Sequence, residues 1–140
     1  MNPSPEAPQI RTRREGVRVS SPPLISVVDD DEAVRESLGS LIRSVGFGVK
    51  AFASAEEFLN SDHRVADCLV LDVRMQGMNG LELQRRLVAN QCRIPVIFIS
   101  AHGDEESRSR ALREGAVDFL LKPFSEEALL SAIHSALHPK

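Results

Sequence analysis

Leu24-Ile25-Ser26-Val27-Val28-Asp29-Asp30 is the stretch that decides the fold: an apolar run that stops abruptly on two carboxylates. A run of this kind, short and without alternation, reads as a strand buried on both faces, the usual condition of a parallel sheet. The pattern then recurs. Val49-Lys50-Ala51-Phe52 reads as a short second strand, and Cys68-Leu69-Val70-Leu71 as a third that runs into Asp72. Val96-Ile97-Phe98-Ile99 closes on Ser100, and Val117-Asp118-Phe119-Leu120-Leu121 leads into Lys122.

Helical spacing fills the gaps between these runs. Val34, Leu38, Leu41, Ile42 and Val45 share one helix face, and Gly46 is placed to end it. Ser54 caps a brief helix bearing Phe58 and Leu59, with Glu57 expected to complete a capping box. The turn Gln76-Gly77-Met78-Asn79 precedes a helix with Gly80, Leu83 and Leu87 on one side. The segment from Asp104 to Arg113 has little apolar content beyond Ala111 and Leu112, which predicts a weakly anchored, mobile helix stopped by Gly115. From Ser125, a last helix carries Leu129, Ile133, Ala136 and Leu137. Strand and helix thus alternate five times, which predicts an α/β fold: a doubly wound (βα)5 open parallel sheet, too short for an eight-fold barrel.

Composition bounds the function. The chain has 140 residues, one domain's worth, and 17 basic against 20 acidic side chains. This mild acidity gives no support for direct nucleic-acid binding, and the absence of Trp and Tyr removes the usual base-stacking platforms. Residues 1–23 hold Arg11, Arg13, Arg14 and Arg18 against Glu6 and Glu15, with five prolines, and read as a disordered extension ahead of a domain at 24–140. Cys68 and Cys92 lack metal-type spacing and suit a reducing compartment; Cys68 itself reads as a small buried hydrophobe. With no membrane-length apolar run and no signal-peptide core, the expected location is the cytoplasm, without membrane contact.

Parallel sheets of this kind bind ligands beyond the carboxyl ends of their strands, where strand order reverses. With order 2-1-3-4-5, that point falls between the first and third strands. Asp29 and Asp30 then face Asp72, and three carboxylates in one crevice repel unless a cation joins them. Hard oxygen donors suit Mg²⁺. Beside such a cation, Asp72 can attack phosphorus as a nucleophile, Lys122 can neutralise phosphoryl oxygens, and Ser100 can donate a hydrogen bond to one.

The motifs Val27-Val28-Asp29-Asp30-Asp31, Leu71-Asp72-Val73-Arg74-Met75, Ile99-Ser100-Ala101 and Leu121-Lys122-Pro123-Phe124 stand in one order and register. In that order the chain, from Leu24 to Leu137, resembles a response-regulator receiver domain, the CheY-like phosphoacceptor of two-component signalling, closest in wording to FixJ-type receivers. The resemblance implies phosphorylation on Asp72, with Asp30 a direct Mg²⁺ ligand, Asp29 a ligand partly through water, and the Arg74 backbone carbonyl a third. It makes Ser100 and Phe119 the switch pair, with Phe119 turning inward on phosphorylation. Lys122 becomes the phosphate-binding lysine, joined to Pro123 by a cis bond. The implied partners are a sensor histidine kinase or phosphotransfer protein, and a second copy of the chain on phosphorylation. The output face would be formed by the fourth helix, fifth strand and fifth helix, and the domain would act on no substrate beyond its own phosphoryl group. One departure is visible: Gln76 stands where the family usually has proline, so that loop is expected to be less rigid.

Other readings of the same residues are weaker. A haloacid-dehalogenase-type phosphatase needs an acid two residues past the nucleophile, where this chain has Arg74. A dinucleotide-binding module needs a Gly-rich turn where Asp29-Asp30-Asp31 stands, and a pseudo-receiver usually lacks an acidic or lysine residue that this chain keeps. Asp31 and Glu32 read as caps of the first helix, Asp118 as a surface residue, and Arg108, Arg110 and Arg113 as a solvated face. His102 sits in the loop after Ser100, while His134 and His138 are assigned no role.

Overall fold

The computed structural model describes residues 22–103 and 105–139, so of the extension expected to be disordered, 1–23, residues 1–21 lie outside the described part. Within it the elements run β1 (Leu24–Val28), α1 (Glu32–Ser44), β2 (Gly48–Phe52), α2 (Ala55–Leu59), a 3-10 turn at His63–Val65 and β3 (Cys68–Asp72). They continue with α3 (Gly80–Ala89), β4 (Val96–Ser100), α4 (Glu105–Arg113), β5 (Asp118–Leu121) and α5 (Glu126–Leu137). All strand pairs are parallel and the order is β2-β1-β3-β4-β5. This is the doubly wound (βα)5 sheet that the alternation predicts.

Two-residue periodicity divides the core. Leu69, Leu71, Val96 and Phe98 face one side with Phe58, Leu83, Leu87 and Ala111, beneath α2, α3 and α4. Cys68, Val70, Ile97 and Ile99 face the other with Leu38, Ile42, Leu129 and Ile133, beneath α1 and α5. Every residue of β3 and β4 is buried, whereas the edge strands β2 and β5 are mostly only partly buried. The interior strands are therefore the ones that read as unbroken apolar runs. The Cys68 thiol is pushed up to about 12, chiefly by burial, and both cysteines are free.

Local chemistry explains the element ends. Asp31 caps α1 by accepting from the Ala33 N–H, the role expected of it. Val45 falls outside the helix face predicted for it: it is the C-cap, 48% exposed, because Gly46 turns the chain away one residue later. Ser54 caps α2, but Glu57 reaches past it to the Ala53 N–H, so the reciprocal box expected there does not form. The box lies instead on α3, where the Asn79 and Glu82 side chains each accept from the other's backbone N–H. In α4, as its composition suggests, Ala111 is the one buried residue.

Three helices end in the same paired motif. After α1 the Gly46 and Phe47 amides bond to Arg43 and Ile42, and after α4 the Gly115 and Ala116 amides bond to Leu112 and Ala111. After α3 the same bonds run from Gln91 and Cys92 to Val88 and Leu87, but Gln91 carries the left-handed φ of 60° without being glycine. Gln91→Gly is therefore expected to stabilise the protein by about 0.5–1 kcal/mol, read as a higher urea midpoint at unchanged slope. A lower midpoint would show that the Gln91 side chain contributes more than its backbone strain costs.

Candidate functional site

The parallel register places the ends of β1, β3, β4 and β5 side by side. Val28 lies against Leu71, Asp72 against Ile99, and Ser100 against Leu121. The residues that follow these positions must gather at one sheet edge, and they do. One carboxylate oxygen from each of Asp29, Asp30 and Asp72 lies within 4.8 Å of the other two. Asp29 is fully buried, Asp72 is 6% exposed and Asp30 is open to solvent.

Lys122 is aimed into this cluster. Its Nζ donates to Asp29 Oδ2 at 3.0 Å and stands 3.8 Å from Asp72 Oδ1. Its backbone N–H donates to the Ser100 carbonyl at 2.7 Å, which fixes where the side chain starts. Asp29 is further held at its other oxygen by the Asp31 N–H at 2.9 Å, and its carbonyl accepts from the Arg35 guanidinium at 2.8 Å. The Lys122–Pro123 bond is cis, as expected.

The charges do not balance. Asp72 is pushed up from 3.8 to about 6, first by burial and then by the neighbouring Asp29 charge; Lys122 opposes the shift, and the Arg74 backbone N–H does so more weakly. Three carboxylates against one ammonium, all offering hard oxygen, make a donor set that fits a small divalent cation. The cluster is a candidate metal site on its chemistry, and Asp72 is its least comfortable anion.

The two remaining expected side chains sit close by in particular states. Ser100 is 2% exposed, and its hydroxyl is engaged with the His102 backbone, donating to the carbonyl at 3.0 Å and accepting from the N–H at 3.1 Å. Phe119, expected to be the switch aromatic, is 7% exposed and packs on Phe98 at a ring-centroid distance of 6.1 Å. The ring belongs to the core cluster that also holds Leu83, Leu87 and Ala111.

Two supporting residues have no motif to announce them. Gly80 packs so closely beneath β3 that a Cβ there would collide with the Asp72 carbonyl oxygen and lie 3.1 Å from the Phe98 ring. Its N–H also donates to the Val73 carbonyl at 2.9 Å, so α3 starts directly against the acceptor strand. Glu56, on α2, accepts the Met78 N–H at 3.1 Å across the loop that follows Asp72. The Asn79-x-x-Glu82 spacing was the available signal for where α3 begins; nothing local points to Glu56.

A doubly wound sheet with this order, and with three carboxylates and a lysine at its switch point, has the architecture of the receivers of phosphorelay signalling. The chain belongs to the response regulator receiver domain family, whose model matches residues 25–134. It is 53% identical over 115 residues to the response regulator protein TmoT of Ectopseudomonas mendocina, covering 81% of this chain and 52% of that protein. It is 44% identical to the transcriptional regulatory protein FixJ of Bradyrhizobium diazoefficiens over 114 residues, 81% of this chain and 56% of that one. Among solved structures it resembles the response regulator StyR, with a TM-score of 0.78 at 50% identity, covering 84% of this chain and 60% of that one. It also resembles FixJ-N, with a TM-score of 0.79 at 39% identity, covering 86% of this chain and 98% of that one. The chain spans about half the length of the curated relatives it matches.

Proposed function

We propose that this domain is a Mg²⁺-dependent phosphoacceptor that receives a phosphoryl group on Asp72 from a sensor histidine kinase or phosphotransfer protein. The observation that carries the reading is the position of Lys122 Nζ, 3.0 Å from Asp29 and 3.8 Å from Asp72, in a cluster of three carboxylates. An Asp72 carboxylate oxygen attacks phosphorus, a P–O bond forms, and the bond to the donor's imidazole nitrogen breaks, returning the electron pair to the imidazole. Asp29, Asp30, Asp72 and the Arg74 carbonyl would hold Mg²⁺, which would supply positive charge to the phosphoryl oxygens. Lys122 pairs with another of those oxygens, and Ser100 exchanges its bonds to His102 for a bond to a third.

The domain turns over no external substrate; it catalyses only the gain and loss of its own phosphoryl group. The charge added at Asp72 biases a two-state element, α4 with β5 and α5, through Ser100 and the Phe119 ring. Ala111 is the single buried anchor of α4, so little apolar burial resists its displacement. That surface would meet the downstream partner or a second phosphorylated copy. Among the described residues, no helix is long and apolar enough to cross a membrane. We read this domain as the receiver of a cytoplasmic regulator, making no nucleic-acid contact of its own.

Intact-mass spectrometry after incubation with acetyl phosphate tests this. One added phosphoryl group is expected in the presence of Mg²⁺, none with the cation chelated, and none in Asp72→Asn. Labelling of Asp72→Asn equal to wild type would move the acceptor elsewhere. Failure with both acetyl phosphate and a cognate kinase would leave a protein-binding domain that is not phosphorylated.

A further inference from the structure

The loop from Val73 to Asn79 has firm ends, and its middle is tied by the Arg74 N–H to Asp72 and by the partial packing of Met75. At one end the Val73 N–H donates to the Ile99 carbonyl at 3.1 Å, and the Gly80 N–H returns to the Val73 carbonyl at 2.9 Å. At the other, the Asn79–Glu82 box fixes the start of α3. Between them lie Arg74, Met75, Gln76 and Gly77. No ring restrains Gln76, and Gly77 takes a left-handed φ of 77°.

Across from this middle stands one side chain from another element. Glu56 of α2 accepts the Met78 N–H through Oε2 at 3.1 Å. The same oxygen would be 3.0 Å from a Cβ at position 77, so the approach uses the bare face of Gly77. The left-handed backbone and the missing side chain at 77 therefore serve one contact, which crosses 22 positions of sequence.

From this geometry we infer that Glu56 is a positioning residue for the site: its carboxylate holds the turn that carries Arg74, and so sets how well the Arg74 carbonyl meets the divalent cation. This rests on the phosphoacceptor reading above. Glu56 touches neither cation nor phosphoryl group; it acts through the Met78 amide. A hydrogen bond of this kind, lost without a substitute, corresponds to a change of about three- to tenfold in an equilibrium that depends on the held geometry.

The test uses the whole chain, isotope-labelled, as wild type, Glu56→Ala and Glu56→Gln. NMR titration with Mg²⁺ gives the Kd, and hydrogen exchange without Mg²⁺ gives the protection of the Met78 amide. Glu56→Ala is expected to raise the Mg²⁺ Kd about three- to tenfold and to lose Met78 protection. Glu56→Gln keeps an acceptor oxygen and is expected to restore most of both, which a merely structural loss of α2 would not allow. Wild type that binds Mg²⁺ with a Kd unchanged in Glu56→Ala would overturn the proposal and leave the phosphoacceptor reading standing. So would a Glu56→Gln variant as weak as the alanine. Wild type that binds no Mg²⁺ at all would overturn that reading, and the positioning role with it.

Discussion

Replacing Lys122 with methionine is expected to slow phosphoryl uptake from acetyl phosphate by roughly 10²–10³-fold at saturating Mg²⁺. Methionine keeps an unbranched stem of similar reach and removes only the charge. Two losses then combine. The phosphoryl group loses a cation 3.8 Å from the attacking carboxylate, which is itself buried, so that charge there is less screened than in water. The fully buried Asp29 also loses its partner at 3.0 Å. The rates are read by intact mass over time, beside thermal melts that verify the variant is folded. A folded Lys122→Met labelled within twofold of wild type would mean that the cation alone carries the electrostatics.

Much of this site is legible in the sequence because topology does the gathering. Once the runs ending at Val28, Asp72, Ser100 and Leu121 are taken as parallel strands of one sheet, their ends must meet at one edge, and Asp29, Asp72, Ser100 and Lys122 follow from that. The same logic places Asp30 in the cluster. What stays hidden are contacts made by side chains whose partner lies on another element at no fixed spacing. Glu56 is an exposed helix residue, and its bond to the Met78 N–H exists only once the Asp72 loop lies beside α2. Gly80 is legible as a helix start but not as the floor of the acceptor strand, because that depends on how deeply α3 docks. The packing of Phe119 on Phe98 is likewise a contact between strands that no local spacing announces. Gln91 gives no hint of a left-handed helix end, since the residue that usually marks one is absent.

Without divalent cation, Asp72→Asn is expected to be more stable than wild type at pH 7.5, by about 1–3 kcal/mol, and Mg²⁺ is expected to narrow or reverse the difference. The sign follows from the direction in which Asp72 moves. Its carboxyl ionises at 3.8 in the ordinary state and at about 6 in the fold, so in this window the folded protein keeps a proton that the unfolded chain releases. Wild-type stability on this account is undiminished below 3.8, falls as pH rises through about 6, and is level above it. The rise from 3.8 to about 6 sets the upper end of the range, and relaxation around the site sets the lower. Asparagine has nearly the same shape and no charge, so it escapes both the burial cost and the repulsion from Asp29, and lacks the pH dependence. Urea midpoints of the two proteins, measured from pH 4 to 8 with the cation chelated, should therefore diverge across that window; parallel curves would sink the argument. Mg²⁺ acts in the opposite sense because it binds the folded wild type at its ionised carboxylates, adding about 1.4 kcal/mol at ten times its Kd. The property that makes Asp72 costly in the bare fold, a buried anion facing Asp29, is thus the one that makes a cation and a phosphoryl group favourable there.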